Sequence, residues 1–203
     1  MKFKTIIFDL DGVIIDSRSN MRLSWTNTSK KFDLNISFKQ YEKYIGLPFK
    51  KILIKLGIKK NFLIIEKNYF QQSILNLSKI KLYPSVRKIL NDLEKKKISY
   101  SIVTSKDKVR SLKIIKKFKI KPKSLHTPNK KLRGKPYPDH INHCILKNKF
   151  KKKYTCYVGD TNIDYLASNK AGIKFIFASY GFGVNSRSYK YKIKNFRELK
   201  KFI

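Results

Sequence analysis

The chain has 203 residues, 41% of them hydrophobic and 13% aromatic, with 48 Lys and Arg against 13 Asp and Glu for a formal net charge of +35. That apolar content suffices for one substantial core and a small second one, and it excludes a wholly disordered chain. No stretch approaches the roughly 20 continuous apolar residues of a membrane span, and Met1-Lys2-Phe3-Lys4 runs straight into an apolar strand instead of a signal-peptide region, so a cytoplasmic protein with no membrane partner is expected.

Thr5-Ile6-Ile7-Phe8 reads as a buried strand that stops at Asp9-Leu10-Asp11-Gly12. It delivers two carboxylates to its C-terminal end, where α/β sheets carry their chemistry. Residues 17–78 then lose strand alternation. Met21, Trp25, Thr28 and Phe32 recur at helical spacing, Ser37 with Gln40 predicts a capping box, and Pro48 predicts the opening of a helix carrying Ile52, Leu53 and Leu56. Phe62, Ile65, Tyr69 and Phe70 add a further helix.

From Tyr83-Pro84 helix and strand alternate. Pro84 is expected to begin a helix with Val86, Ile89, Leu90 and Leu93 on one face, followed by the strand 99–104. Val109, Leu112, Ile115 and Phe118 predict the next helix, an extended piece lies near Leu125, and a helix opening near Pro138 carries Ile141, Cys144 and Ile145. Strand 154–158 ends at Gly159-Asp160; a helix through Ile163, Leu166 and Ala167 stops at Gly172 and hands over to strand 173–177. This order predicts an α/β fold: a three-layer, doubly wound, mostly parallel sheet, with residues 1–16 and 79–203 as the core and 17–78 as a small helical cap inserted after strand one.

Four segments carry chemistry. Asp9 and Asp11 suit an aspartate nucleophile and a proton-shuttling partner, although Asp next to Gly12 also caps ordinary turns. Asp160 and Asp164 form a second acidic cluster at a strand end, where helix capping is the simpler use. Brought beside Asp9, these carboxylates need a cation, and a donor set of oxygens favours magnesium. Thr104 and Ser105 follow a strand end, where hydroxyls and backbone N–H groups can hold a phosphoryl oxygen, and Lys135 sits between Gly134 and Pro136. Cys144 and Cys156 are expected to be buried free thiols, and His126, His140 and His143 are too scattered to assign.

On these segments the chain resembles the haloacid dehalogenase-like hydrolase superfamily, in its phosphoglycolate-phosphatase-like branch. The resemblance rests on FDLDGVIID at 8–16, IVTSK at 102–106, GKPYPD at 134–139, GDTNID at 159–164 and YGFG at 180–183. It implies Asp9 as nucleophile, Asp11 as general acid and base, Thr104 as phosphate ligand with Ser105 beside it, and Lys135 as neutraliser of charge. It also implies magnesium on Asp9, Asp160 and the Asp11 carbonyl, with Asp164 and Gly12 in support. The reaction implied is phosphate release from a small phosphorylated metabolite, by a monomer or homodimer. Gly46-Leu47-Pro48 resembles the branch's cap segment facing the site, and Ser85 departs from a Gly that often follows the Tyr-Pro pair.

Two other readings remain at this point. A phosphomutase of the same fold would return the phosphoryl group to a sugar. The +35 charge invites a nucleic-acid-binding protein or a polynucleotide phosphatase, yet the lysines are spread through every segment, which favours a solvated basic surface.

Overall fold

In the computed structural model, which describes residues 2–183 and 188–203, β1 (Thr5–Phe8) lies at the centre of the sheet. Its Ile6, Ile7 and Phe8 are fully buried because helices cover both faces. Next come two linker strands, β2 (Ile15–Asp16) and β3 (Lys81–Leu82), which pair antiparallel. Between them lie α1 (Arg18–Lys31), α2 (Phe38–Glu42), α3 (Phe49–Lys55) and α4 (Phe62–Leu75). Beyond β3 run α5 (Val86–Lys95), β4 (Ser99–Val103), α6 (Lys108–Lys117), β5 (Leu125–His126), α7 (Asp139–Asn148), β6 (Thr155–Gly159), α8 (Asn162–Lys170), β7 (Lys174–Ala178) and β8 (Lys192–Ile193).

The large sheet has the order β5-β4-β1-β6-β7-β8, and every pairing in it is parallel. Strand alternation divides its side chains between two cores. Ile6, Phe8, Ile102, Val158 and Ile176 pack with α5 and Ile114 of α6 on one face, while Ile7, Val103, Tyr157, Phe175 and Phe177 pack with α7 and α8 on the other. These are the three expected layers. The chain goes from β1 to β4 on one side and later to β6 on the other, so the C-terminal end of β1 faces the switch-point crevice.

The four inserted helices enclose an aromatic core of their own, with Trp25, Tyr41, Phe49 and Tyr69 buried. Trp25 stacks on Tyr41 at 4.7 Å and its indole N–H donates to the Ile36 carbonyl at 2.9 Å, so burial leaves no unsatisfied donor. The capping box at Ser37 and Gln40 is present. A buried amide ties α1 to α4: Asn20 Nδ2 donates to the carbonyls of Ser73 and Asn76, and Ser73 Oγ returns a bond to Asn20 Oδ1.

Two expectations need correction. The helix after Pro84 begins at Val86, because Ser85 adopts a left-handed conformation at φ +67°, which also explains why glycine suits that position. On α6 the buried residues are Arg110, Ser111 and Ile114, whereas Val109 and Leu112 are exposed. This helix turns Arg110 toward Tyr69 and Phe70 of α4, so its inward face is partly polar and escapes an apolar-periodicity reading. Beyond β7 lie β8 and a 3-10 turn at Phe196–Phe202, with Ile193, Phe196 and Leu199 buried. Cys144 and Cys156 are buried free thiols. Among the described residues no helix is long and apolar enough to cross a membrane.

Candidate active site

The C-terminal ends of β1, β4 and β6 bring Asp9, Asp11, Thr104, Ser105 and Asp160 to one cavity, whose far wall comes from the inserted helices through Tyr41, Phe49, Ile52 and Tyr69. Lys135 reaches the same carboxylates from the loop before α7. Its Nζ lies 3.1 Å from Asp9 Oδ1 and 2.6 Å from Asp164 Oδ1, and it donates to the Tyr157 hydroxyl at 3.2 Å. Tyr157 in turn donates to the Val103 carbonyl. Burial alone disfavours the Lys135 ammonium, but the carboxylates of Asp164 and Asp9 outweigh it and hold its pKa above the ordinary lysine value.

Asp164 is fully buried and both its oxygens are engaged. Oδ1 accepts from Lys135, and Oδ2 accepts from the Thr161 N–H and hydroxyl in a capping box that opens α8. The capping use and the Lys135 contact therefore coexist in one side chain.

Asp160 is different. Oδ2 accepts the Phe182 N–H at 2.6 Å, while the buried Oδ1 has no hydrogen-bond partner among the described residues. Carboxylate oxygens of Asp9, Asp160 and Asp164 lie within 4.8 Å of one another. Burial first, then the neighbouring carboxylates, raise Asp160 well above its ordinary range and push Asp9 up to about 7, despite the Lys135 charge beside it. Such carboxylates ionise fully only with further positive charge. An unpartnered buried oxygen in an all-oxygen cluster is the donor chemistry that suits magnesium.

Glycine makes this packing possible. At Gly12, with φ +80°, a Cβ would lie 2.0 Å from Asp160 Oδ2, and at Gly181 it would lie 2.3 Å from Asp160 Cβ. The YGFG segment thus closes over Asp160, and its Phe182 N–H fixes the carboxylate.

Asp11 has its own partners. Ser17 Oγ donates to Oδ1, and Lys106 Nζ lies 3.2 Å from Oδ2. Burial lowers the Lys106 pKa and the Asp11 charge partly restores it. Thr104 is buried and its Oγ1 accepts the Lys106 N–H. Ser105 lines the cavity, but its hydroxyl donates to the Gly46 carbonyl at 2.6 Å, joining the strand-end loop to the inserted helices. Arg110, ion-paired with Asp107, reaches across the same seam with its guanidinium 4.0 Å from the Phe70 ring centre.

Ser17, Lys106 and Arg110 were not singled out from sequence. Lys106 stands inside the IVTSK segment at 102–106, its one signal in the sequence. Ser17 lies just past the FDLDGVIID run, and only the fold turns it back toward Asp11.

A family profile for haloacid dehalogenase-like hydrolases matches residues 6–178. The chain is 26% identical over 180 residues to the pyrophosphatase PpaX of Oceanobacillus iheyensis, covering 86% of this chain and 82% of that one. It is 26% identical over 214 residues to a phosphoglycolate phosphatase of Haemophilus influenzae, covering 91% and 89%. A haloacid dehalogenase-like family hydrolase of known structure from Streptococcus pneumoniae superposes with a TM-score of 0.84 at 19% identity, covering 97% of this chain and 96% of that chain.

Proposed function

The chain belongs to the haloacid dehalogenase-like hydrolase family, and from that premise we propose that it is a magnesium-dependent phosphatase of a small phosphorylated metabolite, working through an aspartyl-phosphate at Asp9. The observation that carries this reading is the buried trio of Asp9, Asp160 and Lys135, which combines an unsatisfied acidic cluster with a fixed ammonium. Relatives named as a pyrophosphatase and a phosphoglycolate phosphatase support the small-phosphate class.

An Asp9 carboxylate oxygen attacks phosphorus, and the bond from phosphorus to the leaving oxygen breaks. Asp11, presented by Ser17 and Lys106, gives its proton to that oxygen. Asp11 then takes a proton from a water whose oxygen attacks the same phosphorus, which releases phosphate and restores Asp9. Thr104 and the backbone N–H of Ser105 hold phosphoryl oxygens, and Lys135 offsets their charge. Asp9, Asp160 and the Asp11 carbonyl would hold magnesium, which when bound would supply charge neutralisation at the phosphoryl group. Asp164 orients Lys135 through the 2.6 Å contact.

Residues 17–78 act as a cap that excludes bulk water, with Gly46 and Pro48 at its seam with the core; a Cβ at Gly134 would lie 2.7 Å from Pro48. The test is phosphate release by the purified protein with magnesium over a panel of phosphomonoesters and pyrophosphate, alongside Asp9→Asn. Turnover of a small member, abolished by the substitution, is expected. Well-folded protein inert on the whole panel, or isomerisation of a hexose phosphate without phosphate release, overturns the reading.

A further inference from the structure

A second groove opens beside β7, away from the carboxylate cluster. Lys152, Lys153, Lys174 and Lys190 stand on its walls, all exposed, and Tyr165 and Tyr189 add ring surface to it. Both rings also contact Phe175, at 5.6 and 5.3 Å between centres, which fixes the aromatic floor. Among the described residues no acidic side chain lines this groove.

The basic surface continues past the end of α8. Asn169 and Gly172 border the groove, and Lys170 between them sets its Nζ 5.5 Å from the ring centre of Tyr137. Lys51 of α3 and Arg133 approach the same ring at 5.1 and 4.3 Å. Tyr137 follows Lys135 by two residues, so lysines interleaved with aromatic rings extend from the groove to the seam between the inserted helices and the core.

We infer that this surface binds single-stranded nucleic acid. A polyphosphate backbone matches four lysines that have no carboxylate beside them in the groove, and unstacked bases match the tyrosine rings. Duplex fits less well, because its bases are stacked and offer the rings nothing. A small phosphorylated metabolite uses none of these groups. The 13 acidic residues can neutralise at most 13 of the 48 basic side chains, so the +35 excess has no internal counter-charge. The inference stands independently of the phosphatase reading.

The test is fluorescence anisotropy of the full chain with a labelled thymidine strand of about 16 nucleotides, titrated across salt. Binding should weaken as salt rises. K152Q/K153Q/K174Q/K190Q should cost about tenfold or more in affinity and flatten the salt slope by roughly 3, at about 0.7 per lost phosphate contact on single strands. A control of equal charge, K59Q/K60Q/K95Q/K96Q, should stay within about threefold of the parent. All eight lysines are exposed, so both variants should melt like the parent. Equal losses in the two variants would assign binding to diffuse charge and overturn the site. Equal affinity for a duplex of the same length, or no binding at about 50 mM salt, would overturn it as well.

Discussion

Replacing Lys106 with Met removes the ammonium that lies 3.2 Å from Asp11 Oδ2 while keeping most of the side chain's volume. Asp11 then keeps only Ser17 as a hydrogen-bond partner among those described. At that distance the gross attraction is about 5 kcal/mol for an effective dielectric constant near 20. Much of it offsets the cost of burying both charges. A hydrogen bond to a charged group retains about 1.5–3 kcal/mol net, so kcat on an alkyl phosphate should fall by roughly 10- to 150-fold. The leaving group makes the assignment specific. Under the proposed mechanism an alkoxide takes the Asp11 proton, whereas p-nitrophenolate leaves without one, so the first step on p-nitrophenyl phosphate should lose far less. Stopped-flow release of nitrophenolate, set beside steady-state phosphate release from the alkyl substrate, reads the difference. Equal losses on both substrates, with an unchanged melting temperature, would show that Lys106 acts on the phosphoryl group and would refute the argument.

Ser105→Ala deletes the bond to the Gly46 carbonyl, worth about 0.5–1.5 kcal/mol, so KM should rise about two- to tenfold with kcat nearly unchanged; a selective collapse of kcat would contradict this latch. Gly12→Ala forces a Cβ to within 2.0 Å of Asp160 Oδ2 at φ +80°. About 1–3 kcal/mol of stability and at least about 100-fold of activity should go, read by thermal melting and phosphate release. His126 is drawn down from 6.5 to about 4 by burial, with His143, Lys147 and His140 adding to the effect. Between those values the unfolded chain binds a proton that the folded chain does not, so this contribution is intact above pH 6.5 and is lost as pH falls toward 4. His126→Gln should remove a loss of about 1–3 kcal/mol, measured as a shallower fall in denaturation midpoint over that window.

The part of the candidate site legible in sequence is the part placed at strand ends. Asp9, Asp11 and Asp160 each follow an apolar run, and an apolar run that stops at a carboxylate marks both a strand and what it delivers. The sheet was legible for a related reason, since buried parallel strands read as continuous apolar stretches. What escaped depends on contacts between distant segments. Lys106 is one lysine in a chain crowded with them, and its pairing with Asp11 arises only when β4 lies beside β1. The inward face of α6 escapes sequence reading because Arg110 buries its charge against Asp107 and aromatic rings, a pattern that apolar spacing does not encode. The two-residue strands β2, β3 and β8 are too short to show alternation, and Ser85 adopts a conformation that its residue type does not announce.

The proposed phosphatase mechanism turns on Asp9 forming a bond to phosphorus. Rapid acid quench during turnover with magnesium, followed by peptide mass spectrometry, reads this directly. The prediction is one added phosphoryl group on the peptide containing Asp9, absent in Asp9→Asn along with phosphate release. Turnover that leaves this peptide unmodified and persists in Asp9→Asn would contradict it.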